Sequence, residues 1–415
     1  MMKLIVVVII SFFLQAAGVK AQRAGCTDPR ATNFDLFATE NDGSCTYKRT
    51  LVTPEFAFEL PREVRETSGL VFHNNRLWTH NDSGHLPILY ALDTATAEIV
   101  QRVTISNARN RDWEEITADD TYLYIGDFGN NRGMRKDMVI YRIRLDALPA
   151  SGDAALEAET IAFSYPDQKD FSSSRDHNFD CEAFIAYNDS LYLFSKNRGD
   201  EQTKLYRIPA SPGEYVAEWL DTFNSRGLIT GSAYHAEAGE IILIGYVNQI
   251  WTPFVWILYD FEGNDFFGGN KRRIDFVNLV TTQTEGICYV DGKDLLISAE
   301  ESPTFSARVF RFSTSEYTDH IGFDFLGLQG RSHLMVLYDL LEEKLLQLHV
   351  KNPRGNAARI DILNVKGEVV LSESYKFDRR QDLWLQLNLK DLAAGSYQLV
   401  FMTGGKPLTA SFDLP

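Results

Sequence analysis

The chain is short of positive charge. Its 415 residues hold 41 lysines and arginines against 57 aspartates and glutamates, a formal net charge of −16 at pH 7. Because phosphate binding needs a basic face, this balance argues against a nucleic-acid partner. The acidic excess suits a soluble extracellular protein and is compatible with divalent cations, although solubility alone explains it as well. The length allows two or three domains.

Long apolar runs are missing after the N-terminus. The run at residues 4–18 is shorter than the roughly 20 apolar residues that a spanning helix needs. It follows a basic start and precedes Val19-Lys20-Ala21, which offers small residues at the two positions that a signal peptidase reads. This order predicts a cleavable signal peptide over residues 1–21 and no later membrane-spanning segment. An uncleaved anchor is the alternative.

Cysteine is scarce, with four residues in the chain. Cys26 and Cys45 flank a short polar loop, and export makes a disulfide between them chemically available. Cys181 and Cys288 lie in apolar, strand-like segments. Their separation in sequence neither favours nor excludes pairing, and buried free thiols are the simpler expectation.

A small module is predicted over residues 22–50. It resembles a short disulfide loop of secreted Bacteroidetes proteins through Gly25-Cys26-Thr27-Asp28, Asn33-Phe34-Asp35 and Asp42-Gly43-Ser44-Cys45. Hard oxygen ligands crowd this loop, and either calcium or Asx turns would account for them: Asp28, Asn33, Asp35, Asn41 and Asp42. Asx turns are slightly favoured, because no bidentate glutamate stands at a diagnostic spacing.

Helical periodicity is absent from every long stretch, and residues 51–320 contain five similar units. Each unit has a polar start on a short apolar strand, a second strand that ends in a polar cluster, and a third of the Leu-Tyr-Arg-Ile type. Such units, about 50 residues long with about four strands, predict a β-propeller, because one sheet cannot bury both faces alone. The fold class is therefore all-β: a five-bladed propeller over 51–325, then a small immunoglobulin-like β-sandwich over 330–415.

Residues 56–60 are expected to supply the outer strand of the fifth blade and close the ring. A sixth, degenerate blade at residues 145–176 is one alternative, and a two-sheet sandwich in place of the propeller is another.

The repeat places its polar residues at one mouth of the central channel. In a blade, the start of the innermost strand and the end of the second strand lie at the same mouth. The first group comprises Glu66, Asp112, Glu114, Glu115, Asp180, Glu182, Thr230 and Glu285. The second comprises His80, Asn81, Asp82, Asp127, Asn130, Asn131, Lys196, Asn197, Arg198, Tyr246, Glu300 and Glu301.

These residue types together favour a metal site. Neighbouring carboxylates raise one another's pKa unless a cation intervenes, and carboxylates with asparagine carbonyls suit calcium. The candidate calcium ligands are Glu114, Asp180, Glu182, Glu285 and Glu300. Candidate contacts for an anionic group are Arg132, Lys196 and Arg198. The structural alternative is that the acidic residues cap turns and bond backbone N–H groups.

Two functions fit this mouth. The first is calcium-dependent hydrolysis of a phosphate or carboxylic ester by a metal-held water. His80, Asp82 and Asp127 are its candidate catalytic residues, with His80 or Asp82 as proton acceptor. The second is binding of a glycan, peptide or anion without turnover. A lone histidine such as His80 is more often structural than catalytic.

Residues 60–312 resemble an exported bacterial propeller family grouped with phytase-like and esterase-like propellers. The resemblance implies the propeller fold more firmly than an activity. The chain lacks the Asp-Asp-Pro-Ala signature of calcium-dependent phytases, which argues against phytase activity. The motifs that carry the resemblance are Ser68-Gly69-Leu70, His80-Asn81-Asp82-Ser83-Gly84, Asp112-Trp113-Glu114-Glu115-Ile116, Tyr124-Ile125-Gly126-Asp127-Phe128-Gly129-Asn130-Asn131 with Arg135, and Asp180-Cys181-Glu182-Ala183.

The last 86 residues alternate strictly, and Lys366-Gly367 and Ala394-Gly395 are typical of hairpin turns. They are similar to the C-terminal sorting domain of the type IX secretion system, through Leu392-Ala393-Ala394-Gly395-Ser396-Tyr397 and the turn from Asn364 to Val370. The similarity implies the type IX machinery as partner and a secreted or outer-surface location. One departure is the end of the chain, 411–415, which lacks the usual basic finish. An accessory sandwich is the alternative.

Overall fold

A computed structural model describes residues 23–28, 30–35, 38, 40–279, 283–318, 333–339, 344–351, 355–377, 383–403 and 407–414. The predicted signal peptide, 1–21, and the predicted domain boundary at 325–330 lie outside the described residues. The chain divides into two compact units, Met1–Ser313 and Thr314–Pro415.

The first unit consists of short strands joined by turns and by two 3-10 helices, Arg62–Val64 and Leu145–Ala147. Its strands are β1 (Ala24–Gly25), β2 (Glu40–Asn41), β3 (Thr50–Val52), β4 (Glu55–Glu59), β5 (Thr67–His73), β6 (Arg76–Asn81), β7 (Ile88–Leu92), β8 (Ile99–Ile105), β9 (Trp113–Ala118), β10 (Tyr122–Asp127), β11 (Met138–Arg144), β12 (Ala154–Leu156), β13 (Glu159–Ser164), β14 (Cys181–Tyr187), β15 (Ser190–Ser195), β16 (Thr203–Pro209), β17 (Gly213–Val216), β18 (Glu218–Phe223), β19 (Leu228–His235), β20 (Glu240–Val247), β21 (Thr252–Tyr259), β22 (Asn270–Phe276), β23 (Thr284–Asp291), β24 (Asp294–Ala299) and β25 (Arg308–Ser313).

These strands form a propeller of four- and five-stranded sheets. From the innermost strand outward, blade 1 is β5-β6-β7-β8-β12, blade 2 is β9-β10-β11-β13-β17, blade 3 is β14-β15-β16-β18, blade 4 is β19-β20-β21-β22-β3, and blade 5 is β23-β24-β25-β4. Each inner strand contacts the next, and β23 contacts β5, so the inner strands make a closed ring. The predicted all-β propeller is confirmed.

The N-terminal part of the propeller closes the ring. Strand β4 pairs antiparallel with β25, with Phe58 opposite Val309, and so forms the outer strand of blade 5 as predicted. Just before it, β3 pairs with β22 and adds a strand to blade 4. In the tract 145–176, β12 extends blade 1 and β13 extends blade 2. This tract therefore widens two existing blades and does not form a sixth.

Both faces of each blade are buried against its neighbours. Trp78 of blade 1 and Trp113 of blade 2 share one core layer. Phe128 and Phe184 fill the layer between blades 2 and 3, with ring centroids 5.2 Å apart and rings at 90°. Burial of each large apolar side chain contributes about 1.5–3 kcal/mol, so these layers hold the blades together. Packing on both faces explains why the central strands read as apolar runs.

Cys181 and Cys288 are buried free thiols in the propeller, as expected. The N-terminal module is closed by the predicted disulfide between Cys26 and Cys45. Its oxygen-bearing side chains bond backbone N–H groups: Asp28 accepts from Arg30 at 2.9 Å, and Asp42 from Ser44 at 3.0 Å. The structure therefore favours the Asx-turn interpretation of this loop over the calcium one.

The second unit begins with a short helix, Ser315–Thr318, and continues as a two-sheet sandwich. Its strands are β26 (His333–Asp339), β27 (Leu345–Lys351), β28 (Ala357–Asn364), β29 (Val369–Lys376), β30 (Leu383–Asn388), β31 (Gly395–Met402) and β32 (Leu408–Leu414). One sheet has the order β26-β27-β30 and the other β29-β28-β31-β32. Leu348 and Leu387 of the first sheet pack with Ile360, Leu399 and Phe401 of the second in one core.

The two predicted turns of this unit differ. Lys366-Gly367 lies in the turn between β28 and β29, which pair as a hairpin. Ala394-Gly395 lies at the start of β31, whose first residue is Gly395 and whose partners are β28 and β32, whereas the preceding strand β30 belongs to the other sheet. The hairpin expected there was wrong: the turn is a crossover between the sheets, because the apolar residues of β31 pair within the second sheet.

Candidate functional site

One mouth of the central channel is shaped by a β-bulge in each inner strand. In β14, Cys181 pairs with Ser195 and Ala183 with Phe194, so Glu182 is the extra residue. Comparable shifts interrupt β5, β9, β19 and β23. A bulge re-aims the side chain of its extra residue. The bulge residues are Ser68, Glu114, Glu182, Thr230 and Glu285, and all but Thr230 line a cavity.

The inner strands approach so closely at the bulges of β5, β19 and β23 that only glycine fits after the bulge residue. A Cβ on Gly231 would lie 2.2 Å from the carbonyl oxygen of Glu285, and one on Gly286 would lie 2.3 Å from that of Ser68. The glycines of the Thr-Gly-Ser, Glu-Gly-Ile and Ser-Gly-Leu sequences thus allow the backbones of neighbouring blades to lie in contact. This contact fixes the bulge side chains relative to one another.

The cavity at this mouth has a volume of about 220 Å³. Its lining is almost entirely polar and comes from all five blades and the loops between them. The lining residues are Ser68, Asp82, Glu114, Asn131, Arg175, Glu182, Lys196, Arg198, Tyr246, Trp251, Gln283, Glu285 and Glu300.

Two groups of carboxylates in and beside the cavity are compact enough to hold a metal ion. One consists of Asp82, Asp112 and Glu114, and the other of Glu114, Asp180 and Glu182. Within each group, one oxygen from every residue lies within 4.8 Å of the others. Glu114 belongs to both groups and is 4 % exposed, and its buried Oε1 has no hydrogen-bond partner among the described residues. A desolvated, unpartnered carboxylate oxygen is what a cation site would complete.

The electrostatics of these groups are unfavourable without a cation or a proton. Burial raises the pKa of Glu114 well above its ordinary value, and Glu182 and Asp82 raise it further. Burial and the carboxylates of Asp82 and Asp180 raise the pKa of Asp112 to about 7. Two carboxylates 4 Å apart repel by about 4 kcal/mol at an effective dielectric constant of about 20, so the cluster does not readily carry its full charge.

Two cations lie on one side of the cluster. Lys196, 3 % exposed, donates to Oε2 of Glu182, and its ammonium lies 5.3 Å from the ring centre of Tyr246. Burial lowers the pKa of Lys196, but Glu182, Tyr246 and Glu285 together outweigh this and raise it overall. Arg198 donates to Oδ2 of Asp180 at 3.2 Å and to Asn131 at 2.7 Å. Both cations therefore stand within reach of a ligand that also contacts the carboxylates.

A pair of carboxyl groups, Glu285 and Glu300, forms another wall of the cavity. Gln283 Nε2 donates to Glu285 Oε1 at 2.9 Å and to Glu300 Oε2 at 3.0 Å. Burial raises the pKa of Glu285, and burial together with the Glu285 carboxylate raises that of Glu300. Both groups therefore hold a proton more readily than an exposed glutamate does.

Two of the three predicted catalytic residues lie outside the cavity lining. His80 is fully buried, with its ring edge-on to Trp113 at 5.6 Å between centroids, and burial lowers its pKa to about 4. Asp127 pairs with the buried Arg135 at 2.9 Å. His80 lies within β6, whose two faces pack against neighbouring blades, whereas Asp82 follows the last residue of that strand and lines the mouth.

The other predicted residues divide similarly. The candidate metal ligands Glu114, Glu182, Glu285 and Glu300 line the cavity, and Asp180 lies behind it within the second carboxylate group. Of the candidate anion contacts, Lys196 and Arg198 line the cavity, whereas Arg132 is exposed and lies outside the lining.

Sequence reasoning missed four lining residues, one of which, Ser68, was named only within the Ser68-Gly69-Leu70 motif. Gln283 precedes an inner strand, so the rule that found Glu285 would also have found it. Trp251 lies in the turn before β21 and stacks on Tyr246 with centroids 4.7 Å apart, which the repeat did not signal. Arg175 comes from the long loop before β14, outside the repeated pattern.

Comparison with known proteins identifies the tail. Residues 343–412 match the family model described as a secretion system C-terminal sorting domain. No curated protein matches the chain significantly.

The solved structures that resemble the chain share little sequence identity with it. They include an exo-β-1,3-galactanase from Phanerochaete chrysosporium, with 10 % identity, coverage of 87 % of this chain and 98 % of that one, and a TM-score of 0.43. A PQQ-bound aldose sugar dehydrogenase from Streptomyces coelicolor has 12 % identity, coverage of 62 % and 97 %, and a TM-score of 0.38. PorZ, a surface component of the type IX secretion system of Porphyromonas gingivalis, has 9 % identity, coverage of 84 % and 45 %, and a TM-score of 0.32.

The location of the protein follows from its tail. The described part of the chain has no helix with the length and apolar character that a bilayer crossing requires. The chain is a propeller that carries a type IX secretion sorting tail, and it is secreted or displayed on the outer surface.

Proposed function

We propose that the mouth binds calcium and, through it, an anionic ester of phosphoric or carboxylic acid. The observation that carries the proposal is the position of Glu114. It belongs to two three-carboxylate groups, and one of its buried oxygens has no hydrogen-bond partner in the part of the chain that the structure describes. Calcium takes six to eight oxygen ligands in flexible geometry, which fits a cluster of carboxylates better than the strict octahedron of magnesium does.

The residues that would hold the ion are Asp112, Glu114, Asp180 and Glu182, with Asp82 beside them. Their mutual repulsion in a partly desolvated site is relieved by a divalent cation. An exported protein also works where calcium is abundant. What argues for calcium is therefore the chemistry of the donor set together with the location.

The basic residues beside the cluster support an anionic ligand. Arg175 lines the cavity and has no ion-pair partner among the described residues. Arg198 is partly exposed and keeps donor capacity beyond Asp180 and Asn131. Guanidinium groups bind phosphate and carboxylate oxygens through paired N–H donors. Acidic and basic groups on one small cavity wall suit a ligand whose own anionic oxygens face both.

Hydrolysis of the ester is supported by the carboxyl pair of Glu285 and Glu300. Bound calcium would polarise the ester and lower the pKa of a water molecule. Asp82 is placed to accept a proton in the cavity, and Glu285 or Glu300, whose pKa values are raised, would give one to the leaving oxygen. Without such turnover, the same mouth would be a calcium-dependent binding site for an anion or a glycan.

The experiment is calcium titration calorimetry on the mature protein, compared with Glu114→Gln and with Glu214→Gln as the control. Glu114→Gln keeps the shape of the side chain and leaves the Lys196–Glu182 pair intact, whereas Glu214 is exposed on the outer strand of blade 2. We expect wild type and control to bind calcium and Glu114→Gln to bind it at least about tenfold more weakly, a loss of about 1.4 kcal/mol. Equal affinities would overturn the proposed site.

Activity is tested separately with phosphate and carboxylic ester panels, in calcium and in EDTA. Calcium-dependent turnover that is lost in Glu114→Gln and retained in Glu214→Gln supports the hydrolase. Calcium binding without turnover on either ester class leaves the binding function and removes the catalytic one.

A further inference from the structure

A second and larger cavity, about 670 Å³ in volume, lies where the disulfide module meets blade 4. We call it the module cleft. One wall follows Cys45 through residues 46–49, and the other comes from β21, β22 and the turn after β20. Ligand sites usually have volumes of roughly 300–1,000 Å³, so the cleft has room for more than a single ion or water.

The charge of the module cleft is opposite to that of the chain. Its lining carries one acidic residue, Asp275, which accepts from Arg49 at 3.1 Å and Arg273 at 2.7 Å. Neither Lys48 nor Arg226 has a carboxylate partner within the described ranges. The cationic residues of the lining are Lys48, Arg49, Arg226, Lys271 and Arg273. Asp275 offsets Arg49 and Arg273, and nearby carboxylates offset Lys271, which leaves Lys48 and Arg226 as the cations of the cleft that could meet a ligand.

The apolar surface of the module cleft comes from Ile250, Val247 and Phe223, whereas Trp256 is only 6 % exposed. The guanidinium of Arg226 lies 5.1 Å from the ring centre of Trp256, and Phe223 packs edge-on against the same ring at 4.8 Å. Ile250 is 58 % exposed at the rim. Aromatic and aliphatic faces beside guanidinium groups offer both packing and charge-assisted hydrogen bonds to one ligand.

The walls of the module cleft are held together by buried contacts. Asp28 accepts from Tyr259 of blade 4 at 2.5 Å and from Tyr47 at 2.8 Å. Lys271 donates to the carbonyl oxygen of Gly43 at 3.2 Å. The disulfide fixes the module itself. A preformed cleft spends little free energy on ordering when a ligand binds.

We propose that the module cleft binds an acidic saccharide, a sugar chain that carries carboxylate or sulfate groups. The apolar face of a pyranose ring packs on the aromatic and aliphatic wall while its anionic substituents contact Arg226 and Lys48. An acidic peptide offers carboxylates but no rigid ring for that wall. A secreted or outer-surface protein meets such polymers directly.

The module cleft is separate from the mouth but adjacent to it. Ile250 lines the cleft and Trp251, the next residue, lines the mouth cavity. The proposal does not depend on calcium, because none of the cleft residues belongs to the carboxylate groups. A saccharide held here would lie one turn away from the mouth.

The test measures binding of polygalacturonate, heparin, polyglutamate and dextran to the whole mature protein in EDTA, by calorimetry at low and physiological salt. The first variant is Lys48→Gln with Arg226→Gln, at two exposed positions. Its control is Arg144→Gln with Lys366→Gln, which removes the same charges from exposed positions elsewhere. The second variant, Ile250→Glu, places a repelling charge at the rim without disturbing a buried side chain.

We expect polygalacturonate or heparin to bind wild type and control alike, and the first variant at least about tenfold more weakly, as the loss of charge-assisted contacts implies. Ile250→Glu should weaken binding too. Unchanged binding in both variants, equal binding of dextran, or binding of polyglutamate as tight as that of the saccharides would overturn the proposal. Calcium affinity at the mouth should stay the same in both variants, so failure here is distinct from failure of the proposed function.

Discussion

Lys196 donates to Glu182 inside the mouth of the propeller, where the two side chains are only 3 % and 4 % exposed. The pair joins the bulge of β14 to the end of β15 within one blade. Because both charged groups are buried, their attraction has to offset a desolvation cost of several kcal/mol per ion. The pair is therefore sensitive to the loss of either partner.

Removing one partner of this pair should destabilise the protein. We expect Lys196→Met to lower the free energy of unfolding by about 3–5 kcal/mol, because the buried Glu182 carboxylate then keeps only its 3.7 Å contact with Arg198. The double variant Lys196→Met, Glu182→Met should recover most of that loss, since no charge remains unpaired. Urea unfolding in EDTA measures both. A double variant as unstable as the single one would show that packing, rather than charge, sets the cost.

Removing the unpartnered carboxylate should have the opposite effect. In EDTA at neutral pH, we expect Glu114→Gln to be more stable than wild type by about 1–2 kcal/mol, the scale of one pKa unit of relieved repulsion. Calcium at 100 times its dissociation constant should stabilise wild type by about 2.7 kcal/mol and the variant far less. Thermal unfolding with and without calcium checks both signs. Lower stability of Glu114→Gln in EDTA would contradict the repulsion argument.

The fold could be predicted from the sequence because the strand pattern of one blade recurs in each unit of the repeat. The Ser-Gly-Leu, Thr-Gly-Ser and Glu-Gly-Ile starts mark the same position of the inner strand, and the glycine is required there by contacts as short as that of Gly231 with Glu285. The closing strand at residues 56–60 followed from the same logic. The tract 145–176 did not, because its strands pair with blades on either side and leave no repeated pattern of their own.

The candidate site was predictable in part. A strand-end rule brings Asp82, Glu114 and Glu182 to the cavity, but it does not say which face of a strand each side chain takes. His80 follows the rule and still points between blades, against Trp113. Arg175 breaks the rule and still lines the cavity, because a long loop carries it there. Bulges decide such cases, and a single sequence does not show where a strand gains one residue.

The buried histidine provides a pH-dependent contribution to stability. Burial lowers the pKa of His80 to about 4, whereas an unfolded histidine titrates near 6.5. Between these values the unfolded chain takes up a proton that the folded chain excludes. Stability from this residue is therefore fully present above pH 6.5 and falls by about 3 kcal/mol as the pH drops to 4.

The measurement compares unfolding of wild type and His80→Gln in urea from pH 7.5 to 4. Because the carboxylates of the mouth titrate in both proteins, the difference between the two isolates His80. That difference should move in favour of the variant as the pH falls. A difference that is independent of pH would mean that the ring of His80 is hydrated in solution.

The disulfide should control local opening of the N-terminal module. Cys26 and Cys45 close a loop with a sequence separation of 19 residues, and a loop of that size restricts the unfolded chain by about 3 kcal/mol. In Cys26→Ser, Cys45→Ser we expect proteolysis within residues 23–48 to be about a hundredfold faster, because cleavage tracks the open population. The propeller should remain resistant, since its blades are packed independently of the disulfide. Reductant should reproduce the effect in wild type, and Tyr259→Phe, which removes one donor to Asp28, should accelerate cleavage less. Cleavage at the wild-type rate in the reduced protein would show that the contacts with blade 4 alone hold the module.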